Sequence, residues 1–465
     1  MSSATSLRRF LVLWTGQLLS GVGTGMSAFA LGVHVFRTTG TATGFAMVVL
    51  CLFVPSIILK PVGGVCADRY DRRRMMIIGD TGAAAGILFV FAMLSTRPAV
   101  LWPIYVGVGV SSTFSAFQNP AYKAVVTDLL TPEQYSRAGG LVQLAASAQH
   151  LLSPVAAGVL MGVATIGTVL IVDTVTFGVA IITLIVVGPL GAGIATSPAP
   201  RAVEAVADGA GATGTTGFAQ QTQRLFRDLR DGWHAVAAHG QVLRIVVVLS
   251  LVTLFVGFLQ TLFGPMVLTF TDARTLGTVQ SVSALGMVAT SVLLGLVTIR
   301  TRYHEMLLVG LAVAGVSLAL VGTTTEIVPL TVVFFLFFAA LPLVNTSAEV
   351  LIRTDVANQQ QGRAWGIIGV LSQAGYLGAY LSAGVLADQV FEPLFAESAA
   401  LAASVGRVIG TGPGRGMGFI LFLSGICLTA LTAVVASYRR FNGDRRTGDR
   451  PADPGTPAYT HEAIQ

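Results

Sequence analysis

About a dozen apolar stretches, each roughly 20 residues long, divide this chain, and most of its charged residues lie between them. The stretches are residues 10–33, 43–62, 75–95, 100–120, 139–162, 166–190, 242–268, 276–299, 306–324, 329–348, 364–387 and 417–437. At ~1.5 Å rise per residue, a helix of this length crosses the ~30 Å hydrocarbon core of a bilayer. Because lipid offers the backbone no hydrogen-bond partners, each stretch must satisfy its own as a helix. The sequence therefore predicts an all-α polytopic membrane protein with twelve transmembrane helices.

The composition supports lipid as the solvent and sets the orientation. Hydrophobic residues make up 53% of the chain and charged residues only 11%, too few for a soluble protein of this size. The net charge of +6 indicates topology rather than nucleic-acid binding, because about 22 of the Lys and Arg residues fall on one side of the predicted membrane. By the positive-inside rule, we expect a multi-pass protein of the cell inner (plasma) membrane with both termini cytoplasmic.

The order of the stretches predicts two halves. We expect an N-terminal six-helix bundle over 1–190, a cytoplasmic linker with an amphipathic helix over 191–241, a C-terminal six-helix bundle over 242–440 and a disordered cytoplasmic tail over 441–465. One constant shift places Asn119 on Asn345, Arg137 on Arg363 and Gly158 on Gly384, which indicates a duplicated unit. Two pseudo-symmetric bundles joined by a linker are typical of transporters, with the substrate site between the halves near the midplane.

Other classes of function lack their residues. Cys51, Cys66 and Cys427 have neither disulfide nor metal-ligand spacing. The glycine-rich run Gly412-Pro413-Gly414-Arg415-Gly416 lacks the Lys-Ser/Thr ending of a phosphate loop. No paired His/Asp cluster or nucleophile elbow is present. We therefore expect no enzymatic activity, no metal, no cofactor and no nucleic-acid partner.

The sharpest motif follows the second stretch and reads Gly64-Val65-Cys66-Ala67-Asp68-Arg69-Tyr70-Asp71-Arg72-Arg73-Arg74. Gly64 permits a close helix approach, and Asp68 with the arginines can form ion pairs that hold helix ends together in one conformation. The run resembles the signature between helices two and three of the major facilitator superfamily, with Asp71 where that family usually has Gly. The resemblance implies that Asp68 faces the N-terminal end of helix eleven, where a helix dipole favours an anion.

These residues predict a cytoplasmic gate. Its candidate members are Gly64, Asp68, Arg69, Arg72, Arg73, Asp128, Arg137, Asp355 and Arg363. Asp128 lies near Arg137 in sequence and Asp355 near Arg363, which favours ion pairs within the gate. The alternative is that the basic loops only orient the chain.

The fifth stretch carries Ser153-Pro154-Val155-Ala156-Ala157-Gly158. Pro154 removes a backbone donor and can bend the helix, and the small residues around Gly158 allow it to pack against the other half. The run is similar to the antiporter motif of the same superfamily, which implies export. The arrangement of Asn119-Pro120-Ala121-Tyr122, Leu229-Arg230-Asp231-Gly232 and Gln361-Gly362-Arg363 resembles the branch of macrolide-efflux and enterobactin-export proteins.

Ionisable residues within the stretches predict the coupling site, because an unpaired charge in lipid is costly. Asp173 and Glu349 are the candidates for proton coupling. The alternative for each is a carboxylate that pairs with an arginine or caps a helix.

Amides on otherwise apolar helices predict a cavity for bulky amphiphilic compounds. They are Gln17, Gln118, Asn119, Gln149, Gln260, Asn345 and Gln373. The alternative is that these amides only join neighbouring helices. Together the patterns predict a monomeric exporter of a small amphiphilic molecule (drug, macrolide or siderophore-like) that works by alternating access and is coupled to protons. An importer or facilitator on the same fold, or a non-transporting membrane sensor or partner, is the alternative.

Overall fold

The computed structural model describes residues 3–96, 100–188, 240–296, 302–355, 361–395 and 406–448. Over these ranges the long helices are α1 (Ser3–Thr39), α2 (Ala42–Arg69), α3 (Arg72–Thr96), α4 (Trp102–Leu129), α5 (Tyr135–Val163), α6 (Ile166–Val187), α7 (Gly240–Leu268), α8 (Ala273–Leu296), α9 (Tyr303–Thr323), α10 (Ile327–Asp355), α11 (Gln361–Val385) and α12 (Arg415–Gly448). Between α11 and α12 lie a π-helical turn (Leu386–Phe391) and two short helices (Glu392–Leu394 and Gly406–Ile409). The all-helical prediction is confirmed.

Eleven helices of the described ranges are long and apolar enough to cross a membrane. The remaining long helix, α4, has 28 residues but is less apolar, because Ser111, Ser112 and Gln118 interrupt its hydrophobic sequence. All three of those side chains are buried, whereas Trp102, Val106 and Val110 of the same helix are exposed. Each predicted stretch thus corresponds to one helix.

Consecutive long helices run in opposite directions, and short turns join α1 to α2 and α2 to α3. The ends at which α1 begins, α2 ends and α3 begins carry Arg8, Arg69 and Arg72, and we call this side the arginine-rich face. The other side, where α2 and α12 begin and α5 ends, is the opposite face. Gly40 forms the α1–α2 turn on the opposite face with a φ of 66°, a conformation that L side chains rarely adopt.

Two helical bundles make up the fold. In the first, α1 packs on α5 and α6, and α3 packs on α4 and α6; in the second, α7 packs on α11 and α12, and α10 packs on α8 and α9. The second bundle is built on phenylalanines, with Phe263 and Phe334 stacked at a centroid distance of 3.9 Å. Large apolar side chains such as Val163 and Leu296 remain about 80% and 79% exposed, as expected where lipid is the solvent.

Two predicted boundaries concern the linker and the C-terminal segment. The predicted linker and its amphipathic helix, residues 191–241, lie almost entirely outside the described residues. Helix α12 continues to Gly448, so helical structure extends into the segment predicted as a disordered tail. The other domain boundaries stay predictions.

Candidate functional site

The two bundles contact each other along the opposite-face half of α5 and α8. A Cβ at Gly158 would lie 2.6 Å from the carbonyl oxygen of Ala273, and one at Gly277 would lie 2.9 Å from the carbonyl carbon of Pro154. The Val155 N–H donates to Ser281 Oγ at 3.2 Å, which is a hydrogen bond between the bundles. The small residues predicted around Pro154 therefore pack against the other half, while the bending of α5 as a hinge stays a prediction.

The same half of the molecule brings α2 against α11 and α7. A Cβ at Gly384 would lie 2.5 Å from Thr43 Cα, so only a glycine permits this approach of α11 to α2. The Phe45 ring fits between Gly32 of α1 and Gly264 of α7, 2.6 Å and 3.1 Å from where their Cβ atoms would be. The bundles are thus closely joined at the opposite face.

Toward the arginine-rich face, four glycines of the described helices have open space beside them. A Cβ at Gly64, Gly139, Gly140 or Gly369 would meet no atom within 4 Å. Asp68 and Arg69 are exposed, and Asp68 forms no ion pair with any residue that the structure describes. Among the residues that the structure describes, the geometry is that of a cleft between the bundles, closed at the opposite face and open at the arginine-rich face.

An aromatic cluster lies across this cleft near the middle of the helices. The Phe53 ring of α2 meets Tyr380 of α11 edge-on at 4.8 Å and Tyr376 at 6.0 Å. The Tyr380 hydroxyl donates to Gln260 Oε1 at 2.5 Å, which ties the cluster to α7. Gln260 is exposed and Tyr380 is buried, so an exposed amide lies beside the aromatic rings. Sequence reasoning found Gln260 but missed Phe53 and Tyr380, because an aromatic residue in a membrane helix is not informative by itself.

The predicted cavity amides divide into two groups. Gln118 donates to Gln17 Oε1 at 2.5 Å, and Gln17 donates to Asp80 Oδ2 at 3.3 Å, so these two amides join α1, α3 and α4 within the first bundle. The helix-pairing alternative therefore describes Gln17 and Gln118. The others are more open: Asn119, Gln260 and Asn345 are exposed, and Gln149 and Gln373 are half-buried.

Two carboxyl groups are buried inside the first bundle. Asp173 of α6 is fully buried beside Gly23 of α1, and neither of its oxygens has a hydrogen-bond partner among the described residues. Asp80 of α3 is 3% exposed, and Gln17 is its hydrogen-bond donor. Sequence reasoning identified Asp173 but missed Asp80, although a carboxyl within the stretch 75–95 was the available signal. Glu349 is different, because it is half-exposed and pairs with Arg353 one turn away.

The arginines after α2 hold the first bundle together at the arginine-rich face. Arg72 forms an ion pair with Asp128 at 2.5 Å and donates to the carbonyl of Ala67, and Arg73 donates to the carbonyl of Leu184. Asp128 therefore pairs with Arg72, which corrects the expected pairing with Arg137, an exposed residue. The side chains of Asp355 and Arg363 lie outside those that the structure describes.

The Asp71 that departs from the superfamily signature has a local function. It is the residue before α3, and its Oδ1 accepts from the Arg74 N–H at 2.7 Å. It therefore caps the first turn of α3, a position that Asp favours strongly.

No group of three or more His, Cys, Asp or Glu side chains in the described ranges could hold a metal ion. Comparison with known sequences then decides the family. Residues 13–269, more than half of the chain, match the model of the Major Facilitator Superfamily. The chain belongs to the Major Facilitator Superfamily. It is accordingly a transporter and not an enzyme, and it resembles the macrolide-efflux branch.

Two relatives support this membership. The chain is 29% identical over 181 residues to macrolide efflux protein A of Streptococcus pyogenes, which covers 38% of this chain and 44% of that protein. It is 24% identical over 391 residues to the MFS-type transporter YfiS of Bacillus subtilis, covering 82% of this chain and 87% of that one. The chain thus aligns with less than half the length of macrolide efflux protein A.

Solved structures of the same fold extend over almost the whole chain. A bacterial homologue of the iron transporter ferroportin in an inward-facing state has a TM-score of 0.64 at 14% identity, covering 93% of this chain and 99% of that one. A bacterial homologue of the human lysosomal transporter Spinster has a TM-score of 0.64 at 12% identity, covering 97% and 100%. At such identities the likeness establishes the fold.

Proposed function

We propose that this transporter exports a small amphiphilic molecule (a drug, macrolide or siderophore-like compound) by alternating access, driven by protons. The observation that carries the proposal is the cleft between the bundles, closed at the opposite face and open at the arginine-rich face. By the positive-inside rule the arginine-rich face is cytoplasmic, so the cleft would receive its substrate from the cell interior or the inner leaflet.

The cleft suits a substrate with both apolar and polar parts. Phe53 and Tyr376 offer aromatic faces, and Gln260 offers an amide beside them. Exposed Asn119 and Asn345, with Gln149 and Gln373, would supply further hydrogen bonds, because an exposed amide within a membrane span is more stable in a water-filled cleft than in lipid. The relatives named macrolide efflux protein A support a macrolide-like amphiphile as the substrate.

Asp173 is the proposed coupling residue. An ionised carboxylate without a partner is strongly destabilised in a buried apolar site, so the present conformation favours the neutral form. If water reaches Asp173 in another conformation of the cycle, Asp173 would release its proton. Asp80 is a second buried carboxyl in the same bundle, and we do not propose coupling for Glu349, because Arg353 already neutralises it.

The cytoplasmic gate would close the open end of the cleft. Asp68 is exposed in this conformation, and open space surrounds Gly64, so α11 has room to approach the end of α2. In the closed conformation the Asp68 carboxylate would meet the first turn of α11, near Arg363, where free N–H groups and the helix dipole favour an anion.

Transport by purified protein in proteoliposomes tests the proposal. With radiolabelled erythromycin as a macrolide probe and an imposed pH gradient, a proton-driven exporter accumulates the probe against its concentration gradient. Dissipating the gradient with an ionophore should stop the accumulation, and Asp173→Asn should stop it while leaving equilibrium exchange. Equilibration without accumulation would indicate a facilitator, accumulation in the reverse direction an importer, and no flux of any probe a sensor or partner.

A further inference from the structure

At the opposite face, a carboxylate of the second half binds a helix end of the first half. Asp388 lies in the π-helical turn Leu386–Phe391 that follows α11. Its Oδ1 accepts from the Ala42 N–H at 2.9 Å, and its Oδ2 accepts from the Thr43 N–H at 2.8 Å. Both donors belong to the first turn of α2, so one side chain of the second bundle binds the end of a helix in the first.

The local backbone structure positions this carboxylate. A π-helical turn rotates side chains relative to a regular helix and is often found at functional positions. Four residues before Asp388, Gly384 allows α11 to approach Thr43 so closely that a Cβ would lie 2.5 Å from Thr43 Cα and 2.9 Å from Thr43 N. The turn and the glycine together place Asp388 over the N–H groups of α2.

A second acid in the same segment performs the same chemistry within one bundle. Glu392 Oε2 accepts from the Gly414 N–H at 3.1 Å and Glu392 Oε1 from the Met417 N–H at 3.0 Å, at the first turn of α12. Both α12 and Glu392 belong to the second half. Glu392 therefore supports its own bundle, whereas Asp388 links two bundles that must move relative to each other.

We propose that Asp388 is the latch that holds the opposite face closed while the arginine-rich face is open. The inference rests on the alternating access proposed above. When the cleft opens toward the opposite face, α11 must leave the start of α2, and both hydrogen bonds of Asp388 break. The freed N–H groups of Ala42 and Thr43 and the carboxylate are then hydrated, so the device is reversible.

The latch gives the α2–α11 pair a carboxylate at each end. At the opposite face, the acid that follows α11 binds the first turn of α2. At the arginine-rich face, Asp68 near the end of α2 is exposed and has no ion-pair partner among the described side chains, and the first turn of α11 is the proposed partner. Because the two helices are antiparallel, the same type of bond can form at one end only when it is broken at the other.

Distance measurements between spin labels test the latch without any substrate. After Cys51, Cys66 and Cys427 are replaced by serine, one pair of labels goes at Thr96 and Thr325, exposed residues of the two halves on the opposite face. Asp388→Ala should raise the ratio of opposite-open to opposite-closed molecules about tenfold, because a hydrogen bond to a charged group contributes on the order of one power of ten.

Two matched control variants distinguish a latch between the bundles from a cap that only stabilises the end of one helix. Thr41→Ala removes the local cap of the same helix, a bond from the Gly44 N–H to Thr41 Oγ1 that does not cross between bundles. Glu392→Gln weakens the equivalent carboxylate cap within one bundle. Both controls should leave the distance distribution unchanged, and an equal shift in Thr41→Ala would overturn the proposal, as would no shift in Asp388→Ala.

A second variant covers the case in which Asp388→Ala does not fold. Gly384→Ala retains every charge but places a Cβ against Thr43, so it should push α11 away from α2 and open the opposite face in the same direction. Unchanged distances in Gly384→Ala would contradict the latch. The label distances report conformation and not transport. A negative result for the latch therefore does not contradict export, and a negative transport assay does not contradict the latch.

Discussion

The crossing of α5 and α8 is the contact at which a single methyl group should redistribute the two conformations. In Gly277→Ala, the new Cβ would overlap the carbonyl oxygen of Pro154 and lie 2.9 Å from its carbon, where ordinary contact begins at 3.4 Å. The obstacle is backbone, so α5 and α8 must separate by about 1 Å. Overpacking of this kind costs about 1–3 kcal/mol, which corresponds to roughly a 5- to 150-fold change in a two-state ratio.

The cost falls only on the conformation in which these helices touch. Labels at Thr96 and Thr325 should therefore report a larger opposite-open population in Gly277→Ala, measured by electron–electron double resonance in lipid nanodiscs. Gly178→Ala is the control, because it is also a helical glycine but a Cβ there meets no atom within 4 Å. A distance distribution identical to that of the unaltered protein, or an equal shift in Gly178→Ala, would refute the reasoning.

Three further predictions concern single carboxyl groups. Asp68→Asn should slow exchange of substrate across proteoliposomes without lowering the melting temperature, because Asp68 has no ion-pair partner among the described residues in this conformation; unchanged turnover would argue against the gate. Asp173→Asn should abolish accumulation driven by a pH gradient but preserve counterflow, and loss of both would remove Asp173 from coupling. Asp272 caps α8 through the Thr275 N–H at 2.8 Å, and this backbone hydrogen bond lowers the pKa of the exposed Asp272 carboxyl. A lowered pKa means that the charge on Asp272 stabilises the fold above the unfolded value of about 4, and that this contribution is lost as pH falls through the lowered folded-state pKa. Asp272→Ala should therefore cost roughly 0.5–1 kcal/mol at neutral pH and less at about pH 2, where only the neutral cap remains, as measured by chemical denaturation.

The sequence predicts the helices of this protein well because lipid leaves so few alternatives. A stretch such as 43–62 must be helical in a membrane, and the structure extends it only at its ends, to Ala42–Arg69. The two halves follow from the same argument together with the internal repeat. The remaining physical question is how the halves are placed, which depends on contacts between residues far apart in sequence.

Two glutamines of the site show which contacts the sequence does not predict. Gln17 and Gln260 are equally polar residues on apolar helices, yet Gln17 bonds to Asp80 inside one bundle and Gln260 meets Tyr380 beside the cleft. Helical periodicity gives a residue's position along its own helix but not the neighbour that it faces. The hydrogen bond from the Thr43 N–H to Asp388 joins residues 345 positions apart, so no local sequence pattern predicts it.

Which residues of the Gly64–Arg74 motif have a partner also depends on the conformation. Arg72 and Arg73 hold the first bundle through Asp128 and the carbonyl of Leu184, and these bonds lie within one rigid unit. Asp68, in the same motif, is exposed. Under the proposed gate its partner lies on the other bundle, so Asp68 would be paired only in the other conformation.

Simultaneous distance measurement at the two faces shows whether the two bundles alternate. One label pair is Thr96 and Thr325 on the opposite face, and the other is Lys123 and Glu305, exposed residues of the two halves on the arginine-rich face. Pivoting of two bundles about one cleft predicts that whenever the first distance lengthens, in Asp388→Ala or Gly277→Ala, the second shortens. If the two distances change independently, or if both faces open together, the two halves do not alternate and the account is wrong.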